Sequence, residues 1–293
     1  MKKWEHLSGR GIFSCMLIPM ITAIIAGGGT LPEEDREAAL EVLVANEAVL
    51  EIPEEYPFEA VKAQTVLIRS RYRKRFEEGD TEEKLYLELQ QKKEQLGWQE
   101  KEFSKEMEIC EKAAGETRKT VLRYCGEVVD GAYFLAGNGG TREGLEVFSD
   151  TSYGWLTKVE NSCDLEGPYY LSECTISSGE VKNRLYLETG EKPEGDLEKQ
   201  LEILSRDQAG YVMKIRVGNT VLSGERFRKL FGLSSSCFLI QFGEEEIRFV
   251  CQGVGHGFGL CQYGAGIMAM EGADYQEILQ FYFPKAELAC IDF

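Results

Sequence analysis

TVLRYCGEVVDGAYFLAGNGG, residues 120–140, is where the texture of the chain changes and where its fold class is decided. The stretch opens with the alternation of a short strand and then breaks into glycine turns. Upstream, the texture is helical. A helix is predicted from the Thr30-Leu31-Pro32-Glu33 capping box towards Leu50. A second starts near Pro57, with Phe58, Val61, Thr65, Ile68 and Tyr72 as one buried stripe and Lys62, Val66, Arg69 and Arg73 on the opposite side. The charged, proline-free residues 77–118 predict a third helix with a solvated face. Downstream, YVMKIRVGNTVLSG reads as a hairpin turning at Gly218-Asn219, followed by a short helix over 225–231 and the strands CFLIQFG and EIRFVCQG. Helices return over 266–271 and 275–283. Helices, then strands, then helices, without βαβ alternation, predict an α+β fold with antiparallel strands in one compact domain.

The first residues predict a membrane anchor. Residues 11–29, GIFSCMLIPMITAIIAGGG, are uncharged and follow Lys2, Lys3 and Arg10. About 17–25 apolar residues span a bilayer, so the run suffices. A basic flank before it places residues 1–10 in the cytoplasm as a stub and exports residues 30–293. Ala23, Ala26 and the glycines leave cleavage as an alternative to an uncleaved signal-anchor. Eight cysteines lie beyond the run, and both disulfides and free thiols are compatible with their long, irregular spacing. The 33 Lys+Arg against 50 Asp+Glu give a net charge of −17, which argues against nucleic acid as a partner. With two His in the chain and one of them His6, histidine chemistry falls on His256.

Three places could carry chemistry. Glu51, in LEIPEEYPFEAVKAQ, follows the apolar Ala48-Val49-Leu50 and precedes Glu54 and Glu55. Apolar surroundings and like charges favour a protonated carboxyl, as a glycosidase acid requires; a solvated loop acid is the alternative. On the next helix, Lys62, Gln64 and Arg69 offer donors to sugar hydroxyls or N-acetyl oxygens, whereas Arg71 to Arg75 read as solvated cations near a helix end. Lastly, GVGHGFGLCQYGAGIMAMEG, residues 253–272, surrounds His256 with glycines that permit tight turns and close ligand approach, beside Gln262 and Tyr263. It is neither a dinucleotide fingerprint nor a phosphate loop. Cys251, His256 and Cys261 match no usual zinc spacing.

Together these segments resemble the stage II sporulation protein D family. Glu51-Ile52-Pro53, Tyr56 and Glu59-Ala60-Val61-Lys62-Ala63-Gln64 match its E-M-P…E-A-L-K-A-Q block in spacing. GETRKTVLRYCGEVVDGAYF matches its T-R-G-x-V-L…A-x-F region, and Asn138-Gly139-Gly140-Thr141 its S-G-G-x-T turn. Residues 255–265, GHGFGLCQYGA, match its G-H-G-V-G-M-S-Q-Y-G-A signature, and 278–284 its final helix. The resemblance spans nearly all of residues 38–290. Leu135 stands where many members have a His that helps some of them bind zinc, so no metal and no other cofactor is expected. Cys261 for Ser, Ile52 for Met and Asn46 for Gly are milder departures.

The resemblance implies a single-pass cell-membrane protein whose extracytoplasmic domain acts on peptidoglycan during septal and engulfment remodelling in sporulation. It implies lytic transglycosylation of denuded glycan strands, with Glu51 as the acid and Lys62, Gln64, Arg69, His256, Gln262 and Tyr263 in the substrate groove. A cell-wall amidase and other engulfment proteins are the implied partners. The competing expectation, from another class, is a non-catalytic glycan-binding enhancer of a partner N-acetylmuramoyl-L-alanine amidase.

Overall fold

The computed structural model describes residues 33–53, 55–97, 104–191, 193 and 195–292. The anchor over 11–29, the Thr30 capping box, His6 and Cys15 lie outside the described residues. No described helix is long and apolar enough to cross a membrane. The chain mixes helices with mostly antiparallel sheets, as the sequence predicts, and it divides into two compact units. One unit runs to Gly131 and regains the chain from Glu287; the other is Ala132–Ala286.

The first unit is helical. Its elements are α1 (Glu33–Glu51), α2 (Phe58–Glu77), α3 (Glu82–Gln95) and α4 (Ser104–Glu116). Pro57 precedes α2, where a fixed φ of −60° suits a helix entry. Thr81 caps α3 by accepting from the Lys84 amide, with Glu82 and Glu83 in the first turn and Lys92 and Lys93 in the last, each sign matching the helix dipole. The single helix expected over 77–118 is thus two helices, α3 and α4, both with charged faces. The expected stripe of α2 is buried at Val61, Thr65, Ile68 and Tyr72. Its other side differs from expectation, because Val66 and Arg69 are buried as well. Helices α1 and α4 and strand β1 (Thr120–Tyr124) all pack on α2, leaving it little exposed surface. Strand β1 pairs antiparallel with β2 (Glu127–Val128) and with the last strand of the chain, Glu287–Cys290.

The second unit begins with β3 (Tyr133–Phe134) and the short helix α5 (Gly144–Phe148). Strand β4 (Leu171–Ser177) leads into α6 (Ser178–Thr189). The expected hairpin is β6 (Val212–Val217) with β7 (Thr220–Ser223), extended by β5 (Leu201–Arg206) into a three-stranded sheet. After α7 (Gly224–Phe231), β8 (Phe238–Phe242) and β9 (Glu246–Gln252) pair with β4 in a second sheet. Phe227 of α7 packs on this second sheet, its ring centroid 4.6 Å from Phe231, 5.3 Å from Phe238 and 5.8 Å from Phe249. Around these rings Val181, Leu185, Ile215 and Ile247 complete the core, a burial that dominates folding energetics. Strand β10 (Leu260–Cys261) pairs parallel with β3 and runs into α8 (Gln262–Met270) and α9 (Tyr275–Tyr282). The eight described cysteines form no disulfide, and Cys110, Cys237, Cys251 and Cys261 are buried.

Candidate functional site

In the first unit Glu51 is the last residue of α1, with a half-buried side chain. Its carboxylate meets the Lys92 ammonium from the last turn of α3, and Lys92 also reaches Glu47 Oε1 at 3.3 Å. Arg71 joins the same network, 3.4 Å from Glu47 and 3.3 Å from Asp130, and donates to the Gly131 carbonyl at 3.0 Å. Glu51 therefore shares the Lys92 ammonium with a neighbouring carboxylate, Glu47, a cation that the sequence does not suggest. Arg71, read from sequence as a solvated cation, is part of what holds that network.

The basic face of α2 also does other work. Lys62 Nζ donates to Glu59 at 2.7 Å and lies 2.8 Å from Glu116, over the Phe58 ring. Burial acts to lower the Lys62 pKa, but the hydrogen bonds to Glu116 and Glu59 outweigh it and hold the ammonium above its usual range. Gln64 is fully buried. Arg69, expected in the groove, is 1% exposed and is a structural cation instead. Its Nε and Nη2 form a bidentate pair with Glu41 at 2.8 and 2.7 Å, and it also donates to the carbonyls of Thr120 and Ala114 at 3.1 and 3.0 Å. One side chain thereby ties α1, α2, the end of α4 and β1.

In the second unit the His256 loop is set by its backbone. Gly253, Gly255, Gly257 and Gly259 all have positive φ, at 72°, 117°, 81° and 73°, so the glycine spacing has a conformational cause. At Gly257 a Cβ would also lie 2.5 Å from the Tyr211 ring. The loop is anchored at both ends, by the Val254 and Ala136 pair of backbone hydrogen bonds and by the Leu260 amide on the Ala132 carbonyl. His256 Nδ1 accepts from the Phe258 amide at 3.1 Å, which places the proton of the neutral ring on Nε2. Gln262 is buried at the start of α8, whereas Tyr263 is partly exposed with its ring edge-on to Tyr169.

Several residues that the sequence did not single out build this loop and the helix after it. Arg142 donates to the His256 carbonyl at 3.1 Å and through its amide to the Gly257 carbonyl at 2.8 Å. Its guanidinium pairs with buried Asp207 at 2.6 Å and stacks against Tyr211 and Phe258. At the loop's other end Cys261 caps α8, its thiol donating to Asp164 Oδ1 at 3.1 Å. Burial raises the Asp164 pKa against the opposing hydrogen bond from Cys261, and burial beside Asp164 likewise raises the Cys261 thiol. Gly264 has no room for a side chain against Asn161 and Tyr282, which are hydrogen-bonded at 2.9 Å. Arg142 directly follows the N-G-G-T turn, the one local signal that could have marked it; Lys92, Asp164 and Asp207 are reached only through the fold. Among the described residues no group of three or more His, Cys, Asp or Glu side chains is arranged to hold a metal ion.

Glu51, Lys62, Gln64 and Arg69 thus belong to the first unit, and His256, Gln262 and Tyr263 to the second. A family model described as stage II sporulation protein matches residues 35–124, which include all four of the first group. The chain is 26% identical over 267 residues to stage II sporulation protein D of Bacillus amyloliquefaciens, covering 86% of this chain and 75% of that protein. It is 26% identical over 181 residues to stage II sporulation protein D of Bacillus subtilis (strain 168), covering 61% of this chain and 51% of the relative. An uncharacterized protein of Brachyspira hyodysenteriae is 26% identical over 248 residues, 81% of this chain and 63% of the relative. The chain spans about half the length of the Bacillus subtilis protein. The resemblance read from the sequence motifs is matched by these comparisons: this chain is similar to stage II sporulation protein D.

Proposed function

We propose that the chain is a membrane-anchored lytic transglycosylase that cleaves the bond between N-acetylmuramic acid and N-acetylglucosamine in denuded peptidoglycan strands during sporulation. The observation that carries this reading is Glu51, a partly exposed carboxylate at the end of α1, inside the segment that matches the sporulation family. As an acid, Glu51 gives its proton to the glycosidic oxygen as the bond to C1 breaks. As a carboxylate, it then takes the proton of the sugar's own 6-hydroxyl while that oxygen closes on C1, leaving a 1,6-anhydro end. No water enters, so the second carboxylate of ordinary glycosidases has no task. The first step needs a protonated Glu51, so the ion pair with Lys92 has to open as the glycan enters.

That ion pair is also what favours a second reading, a glycan-binding protein that enhances a partner amidase, because the Lys92 ammonium occupies the carboxylate that would have to reach the glycosidic oxygen. Digestion of denuded strands by wild type and Glu51→Gln, with products read by mass spectrometry, separates the two. Anhydro ends from wild type alone support the transglycosylase. Equal products from both, or none from either, remove Glu51 from the chemistry, and stimulation of an amidase by both proteins then supports the enhancer.

A further inference from the structure

A run of aromatic rings leads outward from the His256 loop. Phe258 is almost buried, at 8% exposure, and is held from one side by the Arg142 guanidinium, 4.5 Å from the ring centroid. His256 stacks beside it at 5.9 Å, and Phe148 at 5.1 Å. Phe148 in turn lies 4.3 Å from Tyr153. Beyond Phe258 the rings reach the surface: Phe148 is 43% exposed and Tyr153 38%.

The outer rings are fixed by a built turn. Phe148 is the last residue of α5, and Ser149 after it takes a left-handed conformation with φ 55°. Asp150 then caps the next turn by accepting from the Ser152 amide at 2.9 Å, which returns Tyr153 beside Phe148. Phe148 packs on Phe258 and Tyr153 on Phe148, yet both residues keep more than a third of their surface exposed.

We propose that Phe148 and Tyr153, continuous with Phe258 and His256, form a stacking platform for the pyranose rings of an N-acetylated amino-sugar glycan. This rests on the glycan-directed reading above and adds a subsite to it. The occupant follows from size and chemistry. Two half-exposed rings offer on the order of 200 Å² together, far less than the roughly 1,000 Å² that a specific protein interface needs. A sugar ring fits this area, since its face of slightly positive C–H groups complements the negative face of an aromatic ring.

The test titrates the full-length chain with N-acetylglucosamine oligomers by calorimetry, using Glu51→Gln as the background so that no cleavage intervenes. Phe148→Ala and Tyr153→Ala should each weaken binding roughly three- to tenfold. Tyr153→Phe and Phe148→Trp should restore wild-type affinity, which a merely structural role for the turn would not predict for both. Thermal melts of the same variants report their folding, and the two conservative variants keep the test open if an alanine variant melts early. Unchanged affinity in both alanine variants overturns the platform, as does absence of binding by the parent protein or a loss that the conservative variants fail to restore. A change in self-association without a change in sugar affinity would assign the rings to a protein contact and overturn it too. The catalytic reading is judged separately, by cleavage with wild type against Glu51→Gln, so either proposal can fail alone.

Discussion

The two units use motif residues in opposite ways. In the helical unit, the basic side chains that look ligand-directed in sequence are drawn into holding helices together: Arg69 is buried on Glu41 and two carbonyls, and Lys62 is clamped by Glu59 and Glu116. In the second unit, the loop that carries His256, residues 253–259, contains no Lys or Arg, and its form comes from four positive-φ glycines braced by buried Arg142. The contrast teaches that a cation in a family motif can be a structural element, whereas a glycine-rich loop owes its shape to the backbone and presents what side chain remains.

The strongest way to break this comparison is Arg69→Met. Leaving Glu41 and the buried carbonyls without their donor is expected to destabilise the protein by about 3–5 kcal/mol, read by urea denaturation. A variant as stable as wild type that only loses glycan cleavage would return Arg69 to the groove and erase the difference between the units. Gly257→Ala attacks the other side of the comparison. A left-handed backbone and a Cβ at 2.5 Å from the Tyr211 ring predict a loss of about 1–3 kcal/mol in the same measurement. Wild-type stability there would mean that the loop's glycines serve ligand approach alone.

How far the sequence reaches follows the same division. Periodicity located α2 and the β6–β7 hairpin because each rests on local spacing: Val61, Thr65, Ile68 and Tyr72 face inward at helical intervals, and Gly218-Asn219 makes the turn. The burial of Arg69 was not legible, because its partner Glu41 is 28 residues away and solvation of a lone arginine is the better expectation until both helices are placed. Lys92 is 41 residues from Glu51, in a stretch whose many charges give no reason to choose one. Strand β5 and helix α6 are not legible, since residues 178–206 bury only scattered positions such as Val181, Leu185, Leu197 and Leu201, without a sustained period. At the loop, the glycines and His256 were legible, but Asp207, 65 residues from Arg142, was not.

Asp164 sharpens the picture of the second unit with a smaller, pH-dependent effect. Its folded pKa lies above the ordinary 3.8 because it is buried. Between those two values the folded chain holds the proton more tightly than the unfolded one. The carboxyl's favourable contribution is therefore complete below about 3.8 and is lost as pH rises through the raised value. Asp164→Asn removes this titration, so the stability of wild type relative to the variant should fall with rising pH across that window and then level off. A difference that stays flat with pH, measured by denaturation at a series of pH values, would show that burial does not control this carboxyl.

The smallest expected effect is at Lys62, and it asks whether any cation of the helical unit is available to a ligand. Its ion pairs with Glu59 and Glu116 are near the surface, so Lys62→Met should cost only about 0.2–1 kcal/mol per pair. Stability and cleavage are then separable at this position in a way that they are not at Arg69. If the ammonium also contacts the glycan, the variant keeps its fold while its KM for denuded strands rises and its kcat changes less, because a positioning contact acts on binding more than on the proton transfers of Glu51. If cleavage is unchanged in both parameters, Lys62 is spent on its two carboxylates, and both cations expected in the groove, Lys62 and Arg69, are structural.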